Sequence, residues 1–136
     1  MKRLVFLLVC LVAVSASAAQ QPLFAKYEAV RQAMLKASIA GVQSSAKALA
    51  VAAREAKQTA IAREADALSR AANIKDARAS FAAVSDEMIR FRNALSGDRP
   101  AVAYCSMEKK SWLQPKGAIS NPYLDSAMRS CGEFKE

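Results

Sequence analysis

The chain has 136 residues, with 20 Lys and Arg against 12 Asp and Glu for a formal net charge of +8, and no histidine. That length suits one domain with a modest core. Without histidine neither a Ser-His-Asp nor a Cys-His catalytic arrangement can be built, and the carboxylates are scattered among basic residues, so the expectation is a protein that is not an enzyme.

The chain opens Met1-Lys2-Arg3, runs apolar from Leu4 to Val14, and turns small at Ser15-Ala16-Ser17-Ala18-Ala19. A charged start, a short apolar run and an Ala-x-Ala-like end are the parts of a secretory signal peptide. The apolar run is too short to span a bilayer as a helix. Residues 1–19 are therefore read as an export signal cut after Ala18 or Ala19, with the mature chain, residues 20–136, in the periplasm. Removing Lys2 and Arg3 leaves 18 basic against 12 acidic side chains, a net +6. A basic balance can indicate nucleic acid. The chain has no stripe of aromatics and arginines to match, so the charge reads as a solvated surface and no nucleic-acid partner is expected.

From Pro22 to Gly97 the sequence is rich in alanine, and Gly41 is the sole glycine or proline between those two. Alanine is the strongest helix former. Leu23, Tyr27, Val30 and Met34 recur at helical spacing, as do Val42, Ala46, Leu49 and Ala53, then Ile61, Ala65, Leu68 and Ala72. The longest stripe is Ile74, Ala77, Phe81, Val84, Met88, Phe91 and Leu95. Met34 and Met88 lie on these stripes and read as core filler. Gly41 is expected to separate the first two helices. Asn73 is expected to cap the last one, with Asp76 in its first turn, and Gly97 and Pro100 to stop it. The break near Gln58 and Thr59 is weak, which leaves three helices as the alternative to four. The fold class expected is all-α: an antiparallel bundle of about four helices over residues 20–97, with an irregular cap over 98–136.

Beyond Gly97 the alanine disappears. Val102 to Met107 reads as extended, so Cys105 and Met107 would point to one side. Gln114-Pro115-Lys116-Gly117 reads as a turn. Asn121-Pro122 has the form of a helix start, which predicts one short extra helix from Pro122 to about Cys131, closed by Gly132. Met128 and Cys131 would then share its face. Trp112 and Tyr123 read as anchors pinning the cap to the bundle, with Trp112 also a shield for a metal-bound thiolate. Lys109 and Lys110 read as solvated. With no histidine, sulfur is the soft donor that remains, and thiolates with thioethers suit Cu(I) better than zinc or a hard cation.

Tyr104-Cys105-Ser106-Met107, Trp112-Leu113, Ile119-Ser120-Asn121-Pro122-Tyr123 and Met128-Arg129-Ser130-Cys131-Gly132 together resemble the motif of a family of small periplasmic domains thought to bind copper. The family occurs alone or at the C-terminus of the periplasmic adaptor subunits of heavy-metal (RND) efflux pumps. Arg78, Phe81, Val84 and Ser85 extend the likeness upstream. The family usually has proline where Ser106 stands and glycine near Asp125. The resemblance implies Cys105, Met107, Met128 and Cys131 as ligands of one Cu(I). It also implies a heavy-metal efflux adaptor or another periplasmic copper protein as partner.

Loss of the export signal takes Cys10 with it and leaves two of the three cysteines, which in an oxidising compartment would by default form a disulfide. Two readings therefore stand side by side: a Cu(I)-binding protein that sequesters or delivers the ion, and a disulfide-stapled helical interaction domain with no metal. The pairing of each cysteine with a methionine favours the first, since a staple does not require it.

Overall fold

The computed structural model describes residues 16–135. Most of the expected export signal, residues 1–15, lies outside the described residues. Four helices follow in order, α1 Ala16–Leu35, α2 Ile39–Glu55, α3 Thr59–Leu68 and α4 Ile74–Asn93, each packed on the next. They match the apolar stripes: Leu23, Tyr27, Val30, Met34, Val42, Leu49, Ile61, Leu68, Phe81, Val84 and Met88 are all buried together. Alanines at 46, 50, 53, 65 and 77 are also buried, and they let neighbouring helices approach closely.

Gly41 is not the hinge between the first two helices; it lies within the first turn of α2. The reversal is made by Ala37, at a φ of 51°, with Ser38 N–H donating to Ala33 O at 3.1 Å and Ala37 N–H to Met34 O at 3.0 Å. That pair of bonds closes a helix end in which one residue takes the left-handed conformation, usually glycine. Lys57, at 58°, repeats it before α3, with Gln58 N–H on Ala53 O at 2.8 Å and Lys57 N–H on Arg54 O at 3.0 Å. In both cases the next residue is the N-cap of the following helix, and Ser38 Oγ accepts from Gly41 N–H at 3.1 Å. A Cβ on Gly41 would come within 2.9 Å of that same Oγ and 3.3 Å of Ala33 Cβ, so glycine serves close approach here. The start of α4 is as expected: Asn73 Oδ1 accepts from Asp76 N–H at 2.9 Å.

The fold is not all-α. Residues 101–135 contribute a three-stranded antiparallel sheet of order β2-β1-β3, formed by β1 Ala101–Cys105, β2 Lys110–Gln114 and β3 Glu133–Lys135. β1 and β2 form a hairpin in register from Ala101↔Gln114 to Cys105↔Lys110, and β3 pairs with β1 from Val102↔Lys135 to Tyr104↔Glu133. The extended stretch expected at 102–107 is thus one member of a sheet whose partners are hard to read. β2 carries Lys110, Ser111 and Gln114 among its five residues, and β3 is three residues long and exposed throughout. The expected helix over Pro122–Cys131 is also absent. Asn121 Oδ1 accepts from Tyr123 N–H, two residues on, at 2.8 Å. This side-chain turn competes with helix initiation, and the segment makes a single 3-10 turn, Ser126–Met128.

Sheet and bundle meet through α4 and β2. Between them runs a buried chain of hydroxyls. Leu113 N–H donates to Tyr27 Oη at 3.1 Å, Tyr27 Oη lies 2.7 Å from Ser85 Oγ, Ser85 Oγ lies 3.2 Å from Tyr123 Oη, and Tyr123 donates to Ser111 O at 2.8 Å. With one proton per hydroxyl, every contact is made only if Tyr27 donates to Ser85 and Ser85 to Tyr123. Burial pushes both phenols well above their ordinary pKa, so they act as neutral donors. Among the described residues no helix is long and apolar enough to cross a membrane.

Tyr27→Phe removes the link between Leu113 N–H and Ser85 while keeping the ring that stacks on Phe81 at 5.2 Å. Leaving buried polar groups unpaired should cost about 1–3 kcal/mol, read as a lower urea midpoint at unchanged slope. An unchanged midpoint would show that the relay carries no stability.

Candidate functional site

β1 alternates, with Ala101, Ala103 and Cys105 facing inward. Cys105 ends the strand, fully buried. Cys131 reaches it from the segment after the 3-10 turn, half-buried, and the two free thiols lie with their sulfurs 3.2 Å apart. The chain between them is folded around three fixed points. Gln114 accepts from Trp112 Nε1 at 2.9 Å and Ser120 N–H at 3.1 Å, and donates to Ala118 O at 2.9 Å. Arg31, buried on α1 and paired with both oxygens of Glu28, donates to Ser120 O at 2.8 Å. Asn121, fully buried, donates to Cys131 O at 2.8 Å, and its own N–H goes to Arg129 O at 2.7 Å.

Gly132 completes the approach. Its φ is +148°, and a Cβ there would lie 2.7 Å from Trp112 Cη2 and 3.2 Å from Tyr104 O. The chain next to Cys131 therefore rests directly on the indole ring, which needs a residue without a side chain. Trp112 and Tyr123 are both buried, their rings edge to face at 6.1 Å, in keeping with the anchoring role expected of them. Two further arginines clip the 125–129 segment to the helices. Arg78 pairs with Asp125 at 2.8 Å, and Arg129 donates to Leu35 O, at the C-terminal end of α1 where a cation is favoured.

The two sulfurs differ in character. Burial pushes the Cys105 thiol up, but the backbone N–H groups of Glu108 and Met107, the Cys131 thiol and the Asn121 side chain all favour its thiolate. The balance falls below the ordinary thiol value. Cys131 is pushed up, first because its proton is held by the Cys105 sulfur, then by desolvation and by the negative charges of Cys105 and Glu108. Of the two, Cys105 is the one that gives up its proton more readily, and its thiolate then accepts a hydrogen bond from the Cys131 thiol.

The methionines stand differently from the arrangement expected of them. Met107 is past the end of β1, in the turn 106–109, so strand alternation does not align it with Cys105. Met128 ends the 3-10 turn, where its carbonyl accepts from Cys131 N–H at 3.0 Å, rather than sharing an α-helical face with it. Both side chains are about half exposed, 51% and 48%. The structure thus brings the cysteines into contact and leaves each methionine on its cysteine's own turn, at the surface. Among the described residues no cluster of three or more His, Cys, Asp or Glu could hold a metal. Lys110 is less solvated than expected, with Nζ 5.3 Å from the Tyr123 ring centre and 3.6 Å from Glu108.

Asn121 is legible as a special residue, but its place before Pro122 suggests a helix cap rather than a tie to Cys131. Arg31 and Glu108 give no signal, because a lone charge on a helix or in a turn looks like surface. No family model, no curated protein and no solved structure matches the chain.

The thiol contact makes a titration prediction. In reduced, metal-free protein, thiolate absorbance should rise in two steps, one below and one above the ordinary thiol value of about 8.5. The steps belong to the coupled pair. Unfolding in guanidinium should merge them into one. A single step in the folded protein would rule out the shared proton.

Proposed function

We propose that the chain is an exported periplasmic protein that holds one Cu(I) through Cys105 and Cys131, with Met107 and Met128 as thioether donors, to sequester or deliver the ion in copper homeostasis or efflux. The observation that carries this reading is the meeting of the two sulfurs at 3.2 Å in a chain without histidine. Metal–thiolate bonds of about 2.3 Å, the zinc value, let one ion reach two sulfurs up to about 4.6 Å apart. The pair fits inside that limit. Exposed, unbranched methionine side chains on both flanking turns are free to reorient toward such an ion, and two thiolates with two thioethers are a donor set for a soft cation. A heavy-metal efflux adaptor or another periplasmic copper protein is the partner this reading implies.

Export is supported by Pro22. In a helix begun at Ala16, it sits beyond the first turn, where a missing N–H removes a helical bond. Cleavage after Ala18 or Ala19 would bring it into the first turn, where that N–H has no partner to lose. N-terminal sequencing of exported protein should begin at Ala19 or Gln20; a soluble form retaining Met1 to Ala18 would overturn the assignment to the periplasm.

The same sulfur contact supports the second reading, a disulfide-stapled interaction domain. The methionines separate the two. Met107→Leu and Met128→Leu conserve volume at exposed positions, so the fold should be unaffected. Each should weaken Cu(I) binding to reduced protein by about tenfold or more, equivalent to about 1.4 kcal/mol. Zinc should compete poorly. Unchanged copper affinity in both variants would remove the four-sulfur site and leave the staple.

A further inference from the structure

We infer that Cys105 and Cys131 form a thiol–disulfide exchange couple in which the partly buried Cys131 receives an incoming disulfide and the fully buried Cys105 resolves it, so that disulfide and metal are alternative states of one pair. Three observations carry this. The sulfurs already touch at 3.2 Å, so an internal bond needs a closure of about one ångström to the usual 2.05 Å. Their access is unequal: Cys105 has no exposed surface, whereas Cys131 is partly open. The surroundings of Cys105 are fixed, with Asn121 and Trp112 fully buried and the chain at Gly132 seated on the indole. An oxidant can therefore meet the pair only from the side of Cys131.

The co-reactant is an accessible disulfide, such as an aromatic disulfide or the active disulfide of a thiol oxidoreductase. Cys131 loses its proton to solvent and its sulfur attacks one sulfur of that disulfide. A mixed disulfide forms at Cys131, and the first thiolate leaves. Cys105, also deprotonated, then attacks Cys131 Sγ. The 105–131 bond forms as the mixed bond breaks, and the second thiolate leaves. The pair is oxidised by two electrons and the co-reactant is reduced to two thiolates. Since the thiolate is the metal ligand, the oxidised pair has given up both of its anionic donors. The exchange chemistry stands on the metal-free geometry; its consequence for copper rests on the function proposed above.

The test uses reduced, metal-free mature protein and dithiobis(nitrobenzoate). Wild type should release two nitrothiobenzoate anions per chain and end lighter by two hydrogens, with no adduct by mass spectrometry. Cys105→Ser should release one and keep an adduct at Cys131. Cys131→Ser, left with the buried sulfur, should react at least about tenfold more slowly, and as fast as Cys105→Ser once both are unfolded in guanidinium. Equal rates in the two folded variants would overturn the order of attack. A lasting adduct on wild type would overturn the couple itself, and this outcome depends on no variant's folding. Cu(I) bound beforehand should block release from wild type. If Cu(I) binds and release is unchanged, the exclusion of one state by the other fails. If Cu(I) does not bind at all, the copper reading fails while the exchange results still decide the couple.

Discussion

A buried run of hydroxyls joins the helical layer to the sheet, and the remaining structure depends on it. Tyr27 on α1, Ser85 on α4 and Tyr123 in the loop meet between Leu113 N–H and Ser111 O of β2. Each group has one role, and none can change partner without leaving another unpaired in a medium where unpaired polar groups are costly. The aromatic rings add packing to the polar link: Phe81 stacks on Tyr27 and lies 5.7 Å from Tyr123. Position and polarity are thus fixed together, which alanine-rich helices packed on a small sheet would not achieve by apolar area alone.

The sulfur pair is a further product of that junction. Tyr123 is held by the relay, and the chain just before it is held by Asn121, whose side chain reaches the carbonyl of Cys131. Gln114 and Arg31 fix the preceding loop. Cys105 is delivered by the hairpin and Cys131 by a loop docked on α1 and α4, so their contact is a sum of restraints from separate segments. The ties made by Asn121, Gln114 and Arg31 are all hydrogen bonds.

The helices are legible in the sequence because alanine content and apolar spacing act locally. Asn73 as a cap is legible for the same reason. What stays hidden follows from residues doing a job usually done by others. Ala37 and Lys57 close helices where glycine is expected, so composition places the first break at Gly41 and gives only a faint signal for the one near Gln58. The sheet is hidden because pairing is nonlocal: β2 reads as polar, and β3 is only three residues long. The cysteines are legible as a pair by their chemistry, and their contact is present. The geometry expected of each methionine is not, since it assumes a strand through Met107 and a helix through Met128. The apparent helix start at Asn121 is an Asx turn, a local competitor that the same residue type encodes equally well.

The separation of contacts along the chain sets an order in time. Helices α1 to α4 pack on neighbours in sequence, contacts that are quick to find. The links that seat the cap join residues 86, 89 and 94 positions apart: Tyr27 with Leu113, Arg31 with Ser120, and Leu35 with Arg129. Closing such long loops carries an entropy cost that only the finished interface offsets. The cover over the thiol pair is therefore among the last features to form and among the first to be lost. The β1–β3 pairing and the Asn121–Cys131 bond lie within residues 98–135, so a loosening of that segment from the helices would leave the sulfurs together and only thin the cover over Cys105. The C-terminal third of the chain thus carries the pair as one unit, and the helices supply its cover.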